Sequence, residues 1–314
     1  MVLVLGPTGS GKSGLAIELA LAFYGEIVNC DSQQVYRGLN IGTAKVTESE
    51  RRGVPHHLID VADPDEIFSA GEYARRARIV LDEIRERGRL PIVCGGTGFY
   101  VRGLLDGLFE GPPRDERLRV ELDRREQRRP GLVHRLLRRL DVASAARIHP
   151  NDVQKAVRAV EVSMAARAPM SSLFGQSERP LEGFLWLKLG LGPPRELLYA
   201  RINQRCVRMF QDGLIGETKA LLERGYGRDT KALESIGYRQ SIDALEGRAT
   251  VAEALADTQM ETRRYAKRQL TWLRRDAEMH WLRGFGDEPA IEREAIRLVR
   301  EHLGSTSGHN PLEP

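Results

Sequence analysis

The chain contains little cysteine and no long apolar stretch. Its three cysteines, Cys30, Cys94 and Cys206, are isolated in the sequence and lack the spacing of metal ligands. Such thiols are typical of a reduced, cytoplasmic protein. No run approaches the roughly 18 consecutive apolar residues of a membrane span, and the N-terminus shows no charged region with a cleavage site. We therefore expect a soluble cytoplasmic protein that neither enters a membrane nor is exported.

The sequence also lacks the acidic residues with which many ATPases activate water. None of its predicted strands is an apolar run that ends in Asp and is followed by Glu. This absence argues against a motor protein or a nucleotide hydrolase.

Positive charge is present but unevenly distributed. The net charge is only +4, yet residues 114–167 hold 14 Lys and Arg against 8 Asp and Glu. Residues 258–285 hold 7 against 3. Local positive fields suggest a polyanionic partner, although runs of charge are more often simply solvated surface.

Residues 6–13 form the strongest motif of the sequence. An apolar run at residues 1–5 leads into GPTGSGKS, which fits the P-loop pattern, and apolar residues then recur at helical spacing. In a strand, loop and helix of this kind, backbone N–H groups and the helix N-terminus bind phosphate oxygens. Lys12 would reach the terminal phosphate and the Ser13 hydroxyl would hold Mg²⁺. The predicted phosphate-binding residues are Gly6, Pro7, Thr8, Gly9, Ser10, Gly11, Lys12 and Ser13.

Two further strands are predicted to end at the same sheet edge as this loop. Residues 26–30 lead into Asp31, and a carboxylate there could be a Mg²⁺ ligand, a base toward an acceptor or a helix N-cap. Residues 90–94 lead into a turn with three glycines, which implies close approach of a neighbouring loop or a ligand. His56 and His57 are predicted to lie in a loop and to make local hydrogen bonds rather than bind a metal.

Domain organisation follows from composition. A length prior of about 150 residues per domain predicts two units for 314 residues. We predict an α/β fold with a parallel-sheet P-loop core at 1–112 and 182–304, a helical insertion at 113–181 and a disordered tail at 305–314. In the insertion, Asn151 is predicted to cap a helix whose inner face carries Val153, Val157, Val160 and Met164.

A helix predicted at residues 195–212 carries Arg201, Arg205 and Arg208 along one face. Arginines at this spacing after a P-loop core resemble those that stabilise phosphate charge in phosphoryl-transfer enzymes. As solvated surface residues they would need no explanation.

Six blocks together resemble one enzyme family, the tRNA dimethylallyltransferases. They occur in the family's order from Gly6 to about Trp281: GPTGSGKS, DSQQVYRGLNIGTAK, GGTGFYVRGLL, ARIHPNDVQKAVRAVEV, SIGYRQ and KRQLTWLRR. A P-loop alone would be weak evidence, whereas six blocks in register are specific. The resemblance implies transfer of a dimethylallyl group to N6 of the adenosine 3′-adjacent to the anticodon, at position 37, with diphosphate as the leaving group.

The resemblance also implies roles for individual residues. Asp31 would be the general base facing N6, and Thr8 and Arg205 would contact the departing diphosphate. Two positions depart from the commonest pattern: Ser13 replaces Thr and keeps the hydroxyl, whereas Lys155 replaces Arg, which puts a bidentate contact there in doubt. The implied tRNA contacts are Asp31, Ser32, Gln33, Gln34, Thr97, Arg119, Gln154, Lys155, Ala156, Val157 and Arg158.

Expected partners are therefore the anticodon stem-loop of tRNA, dimethylallyl diphosphate and Mg²⁺. The sequence leaves the oligomeric state open, with a monomer as the expectation. A small-molecule or nucleoside kinase is the main alternative, since it would share the P-loop, the arginines and Asp31, but it does not explain the basic insertion. A non-catalytic RNA-binding module is a third possibility and does not explain the intact phosphate loop.

Overall fold

The computed structural model describes residues 1–109, 111–173 and 179–306. Its six strands are all parallel and lie in the order β3-β2-β4-β1-β5-β6. The α/β parallel-sheet prediction is confirmed. The strands are β1 Val2–Leu5, β2 Gly25–Cys30, β3 His56–His57, β4 Leu90–Gly95, β5 Leu187–Leu191 and β6 Met279–Leu282.

Helices cover the sheet and form the insertion. A short 3₁₀ helix at Lys231–Glu234 accompanies them. The helices are α1 Lys12–Ala22, α2 Glu48–Arg51, α3 Ala70–Glu86, α4 Gly98–Leu105, α5 Glu116–Arg128, α6 Leu132–Leu140, α7 Val142–Arg147, α8 Val153–Ala166, α9 Met170–Leu173, α10 Arg195–Gln211, α11 Leu214–Glu223, α12 Tyr238–Leu245, α13 Val251–Leu273 and α14 Pro289–Thr306.

Strand β1 lies inside the sheet, between β4 and β5. All four of its residues are fully buried, because a parallel sheet covered on both faces needs apolar side chains on both. In register, Leu5 lies opposite Gly95 on β4, and Gly95 lies opposite Cys30 on β2. The chain therefore leaves these three neighbouring strands at one edge, where the phosphate loop, Asp31 and the glycine turn follow.

Strand β3 was not predicted from the sequence. His56 and His57 pair in parallel with Ile27 and Val28 at the margin of the sheet, so residues 90–95 form the fourth strand along the chain and not the third. A two-residue strand has no periodicity from which to predict it. The Ile27 N–H of β2 donates to the Pro55 carbonyl just before β3, at 2.9 Å, and His57 Nε2 donates to the Glu26 carboxylate at 2.7 Å.

Local capping chemistry sets several helix ends. Ser69 caps α3 by accepting a hydrogen bond from the N–H of Glu72 at 3.1 Å. Thr250 and Glu253 form a capping box on α13. Gly213 follows α10 with φ +102, a left-handed conformation that favours glycine, so the predicted end of that helix is confirmed.

The insertion is a compact unit of its own, spanning Leu105–Leu181, whereas the core comprises Met1–Leu104 and Glu182–Pro314. The unit thus begins before residue 113. Its apolar core includes Leu122, Leu137, Val157 and Val160.

Helix α8 of the insertion begins differently from the prediction. Its N-cap is Asp152, not Asn151, and the Asp152 carboxylate accepts from the N–H of Lys155 at 3.3 Å. Val157 and Val160 are buried, whereas Met164, in the last turn of the helix, is 48% exposed. Met164 was wrongly assigned to the inner face.

Helix α14 extends through Thr306, which covers the first two residues of the predicted tail. Ala295 and Val299 lie in the apolar cluster that also contains Leu15 and Leu19 of α1, and this packing holds the helix on the sheet. Residues 307–314 of the predicted tail lie outside the described residues. Within the described ranges, no helix is both long and apolar enough to cross a membrane.

Candidate active site

The phosphate loop connects β1 to α1. Gly9 and Gly11 have φ of +80 and +83, so both occupy the left-handed region that disfavours other residues. At Gly11 an added Cβ would also lie 2.9 Å from the backbone nitrogen of Gly286. Helix α1 begins at Lys12, which places its positive N-terminal end at the loop.

Two cations beside the loop lack a carboxylate partner. Within the described residues, no Asp or Glu oxygen lies within 4.0 Å of the charged nitrogens of Lys12 or Arg205. Burial lowers the pKa of the Lys12 ammonium, with the charge of Asp31 acting in the opposite direction. Burial likewise lowers the pKa of the Arg205 guanidinium. Both side chains are half-buried, and because cations partly withdrawn from water are stable only when compensated, this arrangement favours binding of an anion.

A cavity of about 760 Å³ lies in front of the loop. Helix α10 contributes Arg201, Arg205 and Arg208 to its wall, as their spacing predicted. Their environments differ: Arg201 donates two hydrogen bonds to Asp287, at 2.6 and 2.7 Å, whereas Arg205 has no such partner. Arg205 and Arg208, unlike Arg201, form no ion pair among the described residues, and Arg205 is the one of the two that contacts the Thr43 carbonyl of the facing loop.

The loop at residues 39–45 forms another wall of the cavity. The Glu217 carboxylate on α11 accepts hydrogen bonds from the N–H groups of Asn40 and Ile41, at 3.0 to 3.1 Å. The Gln34 amide donates to the Thr43 carbonyl at 3.1 Å, and Arg205 contacts the same oxygen at 3.5 Å. These contacts join segments far apart in the chain.

Asp31 lies close to the phosphate loop, as predicted. It lines a small cavity of about 20 Å³ together with Lys12 and Ser13. One carboxylate oxygen accepts from the N–H of Gln33 at 2.9 Å in a tight turn. No helix begins at Asp31, so the N-cap alternative is wrong, and its second oxygen accepts no hydrogen bond from the described residues. A carboxylate with spare acceptor capacity can bind a metal or accept a proton.

The glycine turn after β4 is shaped by protein side chains. An added Cβ on Gly96 would lie 2.4 Å from the Gln269 amide nitrogen, and one on Gly98 would lie 2.3 Å from the Trp272 ring. Another segment of the protein thus approaches the turn closely, and that segment is helix α13 and not a neighbouring loop. The hydroxyl of Thr97 in this turn accepts from the N–H of Ser32 at 3.1 Å.

The polar side chains that follow Asp31 lie in the same region. Gln33 has a buried side-chain oxygen with no hydrogen-bond partner among the described residues. Buried polar atoms are rarely unpaired in a native protein, so this oxygen is a candidate ligand contact.

Comparisons with known proteins point to one family. Residues 34–276 match the family model described as IPP transferase. The chain is 54% identical over 304 residues to a tRNA dimethylallyltransferase of Solibacter usitatus, covering 97% of this chain and 99% of the relative. It is 56% identical over 301 residues to one of Koribacter versatilis, covering 96% and 98%.

The chain belongs to the IPP transferase family. Among solved structures, a tRNA isopentenylpyrophosphate transferase from Bacillus halodurans aligns with a TM-score of 0.73 and 37% identity over 98% of this chain and 97% of that chain. A eukaryotic dimethylallyltransferase acting on tRNA aligns with a TM-score of 0.83 and 25% identity over 100% and 81%. The resemblance stated from the six blocks is confirmed, and the protein is a transferase.

Helix α13 gives this transferase a surface that the residue-by-residue prediction missed. Its second half lines an open cavity of about 440 Å³. The basic stretch was visible in the sequence, but its gathering around one aromatic ring depends on helical geometry. The lining residues are Arg264, Lys267, Arg268, Thr271, Trp272 and Arg275.

The predicted contact residues of the insertion lie in varied surroundings. Arg119 and Arg158 both donate to Glu161, at 2.8 and 2.6 Å, and Glu161 is only 1% exposed. Lys155 is 73% exposed and pairs with Asp152 at 2.5 Å. The side chains of Ala156 and Val157 are buried, whereas those of Gln154 and Lys155 face solvent.

His56 makes a local contact as predicted, whereas the partner of His57 lies 31 residues away in the sequence. His57 hydrogen-bonds Glu26, and His56 Nδ1 lies 2.8 Å from the Val54 carbonyl. Within residues 1–109, 111–173 and 179–306, no group of three His, Cys, Asp or Glu residues could hold a metal ion.

Proposed function

We propose that this IPP transferase moves a dimethylallyl group from dimethylallyl diphosphate to N6 of the adenosine 3′-adjacent to the anticodon of tRNA, releasing diphosphate. The observation that carries the proposal is the pair of half-buried cations beside the phosphate loop, Lys12 and Arg205, which have no carboxylate partner among the described residues. Asp31, with a free carboxylate oxygen, lies near Lys12. The names of the whole-length relatives support the choice of substrates.

The cations would act on the leaving group. As the allylic C–O bond breaks, negative charge accumulates on the diphosphate. Lys12, Arg205, Thr8 and the N–H groups of the loop would oppose that charge, and one donor of this kind typically contributes roughly 3 kcal/mol to transition-state stabilisation. The scissile bond is at carbon, beyond the phosphates, so no residue is required to activate water.

Asp31 would act on the acceptor. The exocyclic amine of adenine is a weak nucleophile, because its lone pair is delocalised into the ring. A carboxylate that accepts the N6 proton as the C–N bond forms therefore lowers the barrier. The spare Asp31 oxygen is available for that proton, since the other is committed to Gln33 N–H.

The RNA would contact the basic face of α13. Lys267, Arg268 and Arg275 can neutralise phosphates, and Trp272 offers a ring for base stacking. The target base must leave its stack, which costs a few kcal/mol that phosphate contacts can offset. Ser32, Gln33, Gln34, Thr97 and the exposed Gln154 and Lys155 remain proposed tRNA contacts, together with Arg119 and Arg158.

Mg²⁺ is part of the proposal. The Ser13 hydroxyl and the Asp31 carboxylate line the same small cavity, and oxygen donors of this kind suit Mg²⁺, which usually takes only one or two protein ligands and completes its shell with phosphate and water. Ser13 is the residue we expect to hold the ion. Bound there, it would neutralise diphosphate charge. We further propose that the protein acts as a monomer in the cytoplasm.

The kinase alternative is not favoured by the family. One experiment separates the two reactions. Purified protein with Mg²⁺, dimethylallyl diphosphate and an anticodon stem-loop should release diphosphate and give prenylated adenosine, detected by mass spectrometry of the digested RNA. A stem-loop with inosine in place of the target adenosine lacks the N6 amine and should give no prenylated product. Phosphorylation with ATP and no prenylated adenosine would overturn the proposal.

A further inference from the structure

Gln269 connects two loops of the candidate site. It lies on α13 and is 6% exposed. Its side-chain oxygen accepts a hydrogen bond from the Thr8 N–H at 2.9 Å, and its amide nitrogen donates to the Gly96 carbonyl at 3.0 Å. Since one partner is a backbone donor and the other a backbone acceptor, only one orientation of the amide satisfies both.

The connection continues toward Asp31. Thr97, next to Gly96, accepts from Ser32 N–H at 3.1 Å, and its own N–H donates to the Cys30 carbonyl at 3.3 Å. Cys30 and Ser32 flank Asp31 in the sequence. A short series of hydrogen bonds thus runs from the phosphate loop through Gln269 to both neighbours of the proposed base.

The fit around Gln269 leaves little room for another arrangement. Gly96 has space for a hydrogen only, because a Cβ would lie 2.4 Å from the Gln269 nitrogen and 2.7 Å from the Gly6 carbonyl. One helical turn later, Trp272 covers Gly98 in the same way. The turn after β4 is therefore held on α13 at two successive points.

We infer that Gln269 is a positioning residue that sets the distance and orientation between the diphosphate-binding loop and the acceptor side of the site. This inference rests on the proposed function, since it concerns the alignment of its two substrates. Gln269 need not touch either substrate. Its effect would appear in the reaction of bound substrates, because misplacing reacting groups by about 1 Å can reduce a rate by roughly 10²-fold.

The first test compares Gln269→Leu with Gln259→Leu. Gln259 lies on the same helix and donates one hydrogen bond to the Asn203 carbonyl at 3.1 Å, but it contacts neither loop, so it is a matched control. Gln269→Leu should lower single-turnover rates by about 10²-fold. Its affinities for pyrophosphate and for the stem-loop should stay within about threefold of wild type. Gln259→Leu should behave as wild type in all three measurements.

A second test uses Gln269→Glu and pH. A protonated Glu can accept from Thr8 N–H and donate to Gly96, as the amide does, whereas the ionised form places negative charge against the Gly96 carbonyl. Burial and this hydrogen bond both favour the neutral acid and raise its pKa. The ratio of variant to wild-type rate should approach one at low pH and fall as pH rises. For Gln269→Leu the ratio should be flat.

A merely structural role gives different results. If Gln269→Leu loses substrate affinity and turnover equally, or if the Gln269→Glu ratio does not change with pH, the inference is wrong. Hydrogen exchange provides a readout that is independent of the reaction: the Thr8 amide should exchange faster in Gln269→Leu than in Gln259→Leu. Wild-type protein that fails to prenylate the stem-loop would overturn the proposed function, while unchanged Thr8 exchange would overturn the positioning role.

Discussion

Asp31 in the core and Glu161 in the insertion are two carboxylates near arginines, and they differ in how fully they are used. Glu161 accepts hydrogen bonds from Arg119, Arg158 and the N–H of Asp115. Burial would raise its pKa, but these bonds outweigh burial and hold the pKa at about 2. Asp31 accepts one backbone hydrogen bond and forms no ion pair within 4.0 Å among the described residues.

The difference separates charge that stabilises the fold from charge that remains for ligands. Around Glu161, the carboxylate oxygens and the N–H groups that face them are hydrogen-bonded to one another within the protein. Around Asp31, Lys12 and Arg205 stay uncompensated at short range, so the charges in the core remain available to substrates. Variants that alter one region should therefore change activity, and variants that alter the other should change stability.

The largest effect is expected for Asp31→Asn. Asn keeps the oxygen that accepts from Gln33 N–H but cannot take a proton at neutral pH, so turnover should fall about 10²- to 10⁴-fold. Stem-loop affinity should change little, because Asp31 neutralises no phosphate. Rapid-quench kinetics measure the turnover, and equilibrium RNA binding measures the stem-loop affinity. Asp82→Asn, on the exposed surface of α3, is the control. A variant that retained more than about a tenth of wild-type turnover would rule out the base.

Arg205→Met should give the next largest effect. It removes the charge opposite the leaving diphosphate while keeping an extended side chain, so the single-turnover rate should fall about 10²- to 10³-fold. Thermal stability should be unchanged or higher, since a half-buried cation without a carboxylate partner is removed. Arg195→Met, at the exposed start of the same helix, is the control. A clear loss of stability in Arg205→Met would show that its charge serves the fold.

Glu161→Gln should alter stability. It leaves Arg119 and Arg158 without their shared partner, at a cost of roughly 2–3 kcal/mol, because Glu161 is buried while the arginines are partly exposed. Hydrogen exchange across residues 114–162 of the full chain measures the loss locally. Since the folded-state pKa is about 2 and the ordinary value 4.5, the wild-type contribution is complete above about pH 4.5 and is lost toward pH 2. Glu161→Gln should not show this dependence.

The smallest effect is expected for Lys155→Ala. Of the three insertion cations predicted to contact tRNA, Lys155 is the most exposed, at 73% against 19% for Arg119 and 36% for Arg158. Its loss should reduce the slope of log affinity against log salt by roughly 0.7 to 0.9. Arg119→Ala and Arg158→Ala should each reduce it less, because Glu161 already neutralises part of their charge. Lys219→Ala, on α11, is the control. An unchanged slope would make Lys155 ordinary solvated surface.

Much of the site could be predicted because its signals are local. The phosphate loop needs glycines at Gly9 and Gly11 where φ is positive, and a strand and helix on either side. Asp31 follows a buried strand, so its place at the sheet edge follows from parallel topology. Arg205 was visible through helical spacing, and the six blocks identified the family.

The rest depends on contacts between distant parts of the chain. Gln269 contacts Thr8, which is 261 residues away in the sequence, and Glu217 contacts Ile41, which is 176 residues away. No pattern among neighbouring residues predicts which side chain makes such a contact. The same holds for Glu161, whose two arginines lie on different helices. The N-cap of α8 was misassigned because Asn151 and Asp152 are adjacent and both good caps.

The sheet order also has a consequence for how the chain is made. Strand β1 pairs with β5, which begins 182 residues after β1 ends. During synthesis at about 5–20 residues per second, the first strand would wait on the order of 10–40 s for that partner. The insertion is translated within this interval, and its contacts lie within 77 residues of one another. It can therefore fold on the ribosome while the phosphate loop is still waiting for the strand that encloses β1.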